Sequence, residues 1–237
     1  METKMNPKIL IITTSAATMG ASDDPTGLWL EELTTPWYAF VDAGADLTLA
    51  SIAGGKIPVD PRSLKPAGEN DASVERALND ATFQRLIAET PKFDTLDASG
   101  YDAILLPGGH GTMFDYPQNA ALARLVAEFD AAGKVVAAVC HGPAGLVGAR
   151  KADGTPVVAG RRVAAFTDSE ERAAGLDKAV PFLLETRLKE LGARHESGPD
   201  FKPFALRDGN LVTGQNPASA EPLAKLVMEA LAARVAA

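Results

Sequence analysis

Short apolar runs that stop at polar or glycine-rich residues alternate with helix-length amphipathic segments along most of the chain. "KILIITTS" (8–15), "ADLTLASIA" (45–53), "YDAILLPGG" (101–109) and "KVVAAVC" (134–140) lack the strict alternation of a strand with one wet face. Each reads as a short strand buried on both sides. Helix-length segments separate them, among them Val74–Glu89 and Asn119–Ala132. Strands alternating with helices predict βαβ units, hence an α/β fold with a parallel sheet covered on both faces. Ligands of such folds bind beyond the carboxyl ends of the strands. Further on, "PVVAGRRVAAF" and "FALRDGNLVTG" read as hairpins, the second turning at Asp208-Gly209, and a last helix over about Ala218–Val235 opens within "NPAS". Residues 57–73, rich in Pro, Asp and Gly, read as a surface excursion within the domain.

The chain has no internal repeat, and its 237 residues, 46% of them hydrophobic, suffice for the core of one domain spanning 1–237. A net charge of −8 with scattered Lys and Arg argues against nucleic acid and for a small-molecule partner. No apolar run reaches the roughly 18 residues that span a bilayer. "METKMNPKILIITTS" reads as an opening strand and not as a signal peptide. One cysteine cannot form an internal disulfide, which points to a reducing, cytoplasmic setting.

That cysteine, Cys140, ends a predicted strand and is followed by His141, Gly142 and Pro143. A strand-to-helix turn of this kind resembles a nucleophile elbow, which pushes its side chain out of the core at the top of the sheet. An ordinary thiol is only about 3% thiolate at pH 7, and a helix N-terminus is expected to lower its pKa. The competing reading is an inert buried cysteine, which the turn signals at Gly142 and Pro143 weaken.

In "LLPGGHGTMFDYP" (105–117), Gly108, Gly109 and Gly111 allow close backbone approach and convergent N–H groups, as an oxyanion hole requires. Neither phosphate-binding glycine pattern occurs there. "DPTGLWLEELTTPWYAF" (24–40) reads as a helix beginning after Pro25 and kinked near Pro36. Helical spacing puts Glu32 on the stripe of Leu28, Trp29 and Pro36, where desolvation raises a carboxyl pKa, and leaves Glu31 as a solvated charge. Three histidines and one cysteine offer no metal-ligand cluster at recognised spacing. His195 reads as a strand or loop surface residue.

Taken together, "AAVCHGPAGL", "PGGHGTMFDYP", "TGLWLEELTTPWYAF" and "LVTGQNPASA" resemble the ThiJ/PfpI superfamily over residues 8 to 234, and within it the glutathione-independent glyoxalase (glyoxalase III) branch. The resemblance implies a flavodoxin-like parallel sheet sandwiched by helices, a homodimer, and neither metal nor organic cofactor. It implies Cys140 as nucleophile, His141 beside it, Glu32 as the helix acid, and a third acid from "FTDSEERAAGLD", where spacing favours Glu171 over Glu170. Gly109 and His141 would supply the oxyanion-binding N–H groups, with Gly108 and the loop residue His110 lining the substrate pocket. The implied reaction converts a small 2-oxoaldehyde, methylglyoxal, to D-lactate. Three other readings stay in view. One is a holdase chaperone or protein deglycase, and another is a redox sensor using Cys140. The third, amidotransfer or peptidase chemistry, fits less well, because Ala138 stands where that elbow has glycine and Glu196 directly follows His195.

Overall fold

The structure, a computed structural model, describes residues 6–235; the first five residues of the N-terminal segment lie outside them. Strands β1 (Lys8–Thr13), β2 (Asp46–Ser51), β3 (Ala103–Leu106) and β4 (Val135–Val139) form where the four apolar runs predict them. With β7 (Ala205–Asp208) and β8 (Leu211–Gly214) they make a six-stranded sheet ordered β2-β1-β3-β4-β8-β7. All neighbours are parallel except the β7/β8 hairpin, which turns at Asp208-Gly209 as its sequence predicts.

The apolar runs are continuous because both faces of the sheet are covered. Ile9, Ile11, Ala103, Leu105, Val135, Ala137 and Val139 belong to one core with residues of α1 (Leu30–Asp42), α2 (Ala72–Asn79), α3 (Ala81–Ala88) and α8 (Ala220–Val235). Leu10, Ile12, Ile104, Leu106, Val136 and Ala138 belong to the other, under the short helix α4 (Thr112–Asp115), α5 (Ala120–Ala131) and α7 (Leu184–Glu190). Odd and even residues of each strand thus meet different helices, the period of two expected of a pleated strand. Among the described residues no helix is long and apolar enough to cross a membrane.

Several local expectations change. Residues 74–89 are two helices, because Asp80 is extended (φ −93°, ψ 100°) and its carboxylate caps α3 by accepting from the N–H groups of Thr82 and Phe83. "PVVAGRRVAAF" is not a hairpin: β5 (Arg162–Val163) pairs in parallel with β6 (Arg194–His195). The first helix starts at Leu30 and not after Pro25, since bridges from Thr18 to Pro25 and from Leu28 to Val59 hold the preceding segment extended. The excursion at 57–73 is anchored and not merely superficial. Ile57 and Asp60 are buried, and the Asp60 carboxylate accepts from Thr26 Oγ1 and the Arg62 guanidinium. His195 lies on a strand, but its ring is buried and not at the surface, with Nδ1 3.7 Å from Glu185.

Candidate active site

Three chain segments converge beyond the carboxyl ends of β1, β3 and β4: the first turn of α1, the glycine loop after β3, and the turn after β4. The chain leaves β1 for the outer strand β2 and returns to β3 on the other side, so this is where the strand order reverses. Such a crevice receives side chains from several elements without any strand having to bend.

Cys140 sits at φ 60°, one of two described non-glycine residues with positive φ. The left-handed conformation is uncommon for a residue with a Cβ and lifts the thiol off the line of β4. The backbone is fixed on both sides: Cys140 N–H donates to the Gly214 carbonyl, and its own carbonyl accepts from Phe166 N–H. Residues Gly142–Leu146 form a 3-10 turn and not the α-helix expected there. The dipole of an extended helix is therefore missing. Burial pushes the thiol well above its ordinary pKa, and the neighbouring Glu32 carboxyl pushes it further. Cys140 is only 3% exposed and lies beside that acid, surroundings that work against the thiolate expected from the elbow.

Glu32 is fully buried. Its Oε2 accepts from Gly108 N–H at 2.7 Å, and Oε1 has no hydrogen-bond partner among the described residues. Burial raises this carboxyl well above the ordinary range, only partly offset by the Cys140 thiol and the Gly108 N–H. Glu32 lies in the first turn of α1, but Leu28 and Trp29 precede the helix in extended backbone, so the stripe that singles it out is not a helical face. Glu31 is not the solvated charge expected beside it: it is half-buried, and burial followed by Asp71 lifts it to about 7.

On the other side of the sulfur, Nδ1 of His141 lies 3.2 Å from Sγ. Nε2 of His141 lies 2.7 Å from Glu171 Oε2, and Nε2 of His110 lies 2.8 Å from Glu171 Oε1. One carboxylate thus holds two imidazoles, whose ring centroids are 4.0 Å apart. Burial pushes Glu171 up, but the two imidazoles, His141 foremost, hold it well below the usual carboxylate range. Burial, followed by His141, lowers His110 to about 4. Glu170 is turned elsewhere. It closes a capping box with Thr167 at the start of α6 (Asp168–Ala173), and its Oε1 accepts from Phe201 N–H and Asn216 Nδ2. Glu171, which the spacing favours, is the acid that meets His141, and Asn216 of the late "GQNPAS" motif braces Glu170.

His110, His141 and Glu171 offer three ligand atoms within 4.8 Å of one another, so a metal-capable cluster exists where sequence spacing gave none; here these atoms are joined by hydrogen bonds. Gly108 lines the same point, and Gly109 beside it packs on the backbone of Gly27–Trp29. A Cβ on Gly108 would lie 2.7 Å from Glu32 Oε2 and 2.7 Å from His141 N, and Gly109 adopts φ 98°. Two aromatic residues were not legible in advance: Phe166, whose ring lies 4.5 Å from that of His141, and half-exposed Phe201, 6.3 Å from Phe166. Only their position across the loops brings them here.

The chain is similar to known proteins over most of its length. The model of the DJ-1/PfpI family matches residues 27–230. The chain is 34% identical over 233 residues to the glutathione-independent glyoxalase HSP31 of Saccharomyces cerevisiae, covering 94% of this chain and 98% of that protein. Among solved structures, glyoxalase III from Candida albicans superposes with a TM-score of 0.85 at 30% identity, over 94% of this chain and 97% of that one. The Rapid Encystment Protein 24 kDa of Francisella tularensis superposes with a TM-score of 0.91 at 36% identity, over 95% and 99%.

Proposed function

The chain belongs to the DJ-1/PfpI family, and from that premise we propose that it is a glutathione-independent glyoxalase converting methylglyoxal and water to D-lactate through a covalent adduct on Cys140. The observation that carries this reading is the placement of one sulfur between a buried acid, Glu32, and an imidazole, His141, that is oriented by an ionised Glu171. A chaperone surface or an oxidant sensor has no use for a proton-relay acid on the far side of the thiol.

As Sγ attacks the aldehyde carbon, its proton passes to Nδ1 of His141, whose Nε2–H remains held by Glu171. The oxygen that gains charge is received by the N–H groups of Gly109 and His141 and takes the proton held on Glu32, giving a hemithioacetal. Glu32, now a carboxylate, removes the hydrogen from C1. The electron pair moves to the C2 oxygen, which takes the proton from His141 to form an enediol. Glu32 returns its proton to C2 and takes the one from the C1 hydroxyl, leaving a lactoyl thioester. Water activated by His141 attacks the thioester, lactate leaves, and the sulfur recovers a proton. The raised affinity of Glu32 for a proton suits a group that must give and take one at neutral pH.

The same reading makes the protein a one-domain, cytoplasmic homodimer that uses no cofactor. Its test is turnover of methylglyoxal without glutathione by the wild type and by Cys140→Ser, with the chirality of the lactate scored. D-lactate from the wild type and none from the serine variant is expected. A wild type that makes no lactate, or a serine variant with near-native turnover, overturns the reading.

A further inference from the structure

The site contains a second imidazole, His110, that the reaction above does not use. It follows Gly109, is 5% exposed, and lies with its ring 4.0 Å from that of His141. Its Nε2 faces Glu171 Oε1 at 2.8 Å. An ionised carboxylate accepts hydrogen bonds and donates none, so the proton of the neutral ring must be on Nε2. That fixes the tautomer and leaves Nδ1 as a bare lone pair. Nδ1 is buried and has no hydrogen-bond partner among the described residues. Buried polar atoms are nearly always satisfied, so an orphan acceptor in a reaction site is open to a donor carried by the ligand.

We propose that His110 is the hydroxyl acceptor of this site: Glu171 sets its tautomer, and Nδ1 receives the O–H at C2 of the enediol and of the lactoyl product. The inference rests on the glyoxalase reading and names what that site recognises, a small α-hydroxyacyl group. Methylglyoxal has no hydroxyl at C2 until the proton has moved. The contact is therefore made with the intermediate and not with the free ketoaldehyde, which is differential binding of the kind that raises kcat. The pairing also accounts for Glu171 serving two rings. The same charge that orients His141 for the sulfur orients His110 for the substrate, and loss of the carboxylate disables both.

Two substitutions separate these roles. In His110→Gln the side-chain amide N–H can still donate to Glu171, but the acceptor becomes Oε1, displaced from the place and direction of the ring lone pair at Nδ1; in His110→Phe donor and acceptor are both lost. Binding of D-lactate and of propionate, which lacks the hydroxyl, is measured by titration calorimetry for the wild type and both variants, alongside kcat and KM. The wild type is expected to favour D-lactate by about tenfold and both variants to lose that preference, the size of one hydrogen bond to a ligand. In His110→Gln kcat should fall with KM little changed. Thermal melting of the Gln variant near that of the wild type shows that the fold is kept. A wild type with no preference for the hydroxy acid, or variants that retain it, overturns the proposal. Because the binding arm needs no turnover, a protein inactive on methylglyoxal would sink the glyoxalase reading and still leave the role of His110 to be decided by the two acids.

Discussion

The backbone N–H of Gly108 donates to Oε2 of Glu32 across 2.7 Å, joining the glycine loop after β3 to the first turn of α1, 76 residues apart in sequence. A Cβ at position 108 would lie 2.7 Å from that oxygen, from His141 N and from the Val139 carbonyl oxygen. The contact therefore requires glycine for lack of space. Gly108→Ala should cost about 1–3 kcal/mol in urea denaturation, the range for overpacking a tight site. It should also lower kcat more than stability, because the atoms that must move are those of the site.

Glu32 and the Cys140 thiol each affect the other's protons. Ionised Glu32 raises the thiol, so over the pH range in which Glu32 has lost its proton Glu32→Gln should make the thiol more acidic. Alkylation of Cys140 by iodoacetamide, followed against pH, should reach half its plateau rate at lower pH in the variant than in the wild type. Turnover should fall at least about 100-fold, the typical contribution of a positioned acid-base group. An unchanged alkylation profile would show that the two groups are not in contact.

Adjacent acids on α6 should fail in different ways. Glu171→Gln removes the charge that orients two imidazoles and should lower kcat about 100-fold or more with a modest change in melting temperature. Glu170→Gln turns an amide N–H toward groups that already donate, from Thr167, Phe201 and Asn216, and should cost about 1–3 kcal/mol of stability. Paired thermal melts and steady-state kinetics on the two variants check this division.

Half-buried Glu31 offers a stability measurement independent of catalysis. Its folded pKa of about 7 lies above the ordinary 4.5, because burial and then Asp71 disfavour its charge, so the native state keeps a proton that the unfolded chain releases. That contribution is fully present below 4.5 and is lost as pH rises through about 7. Glu31→Gln should therefore match the wild type at acid pH and exceed it at pH about 8 in urea midpoint.

Much of this arrangement was legible because it follows from local rules. The runs ending at Thr13, Leu106 and Val139 are apolar throughout since helices cover both sheet faces, and that pattern needs no partner to be read. Glu32 stood out as a charge in an apolar stretch, although Leu28 and Trp29 precede α1 and share no helical face with it. The break at Asp80 was hidden, since its carboxylate ends one helix and caps the next within a continuous periodic stretch. The two-residue pairing of β5 with β6 is too short to leave a pattern. The upward push on the Cys140 thiol could not be read from its turn, because it comes from burial and from an acid that α1 brings in from 108 positions away.

Position 140 has a left-handed backbone, a conformation that costs a side-chain-bearing residue roughly 1–2 kcal/mol and glycine almost nothing. Serine inherits that twist, so exchanging sulfur for oxygen there probes chemistry at constant torsion, whereas glycine would relax the chain and delete the reactive atom together. Sturdiness and reactivity make opposite demands on this one codon, and the residue found there shows which demand has prevailed.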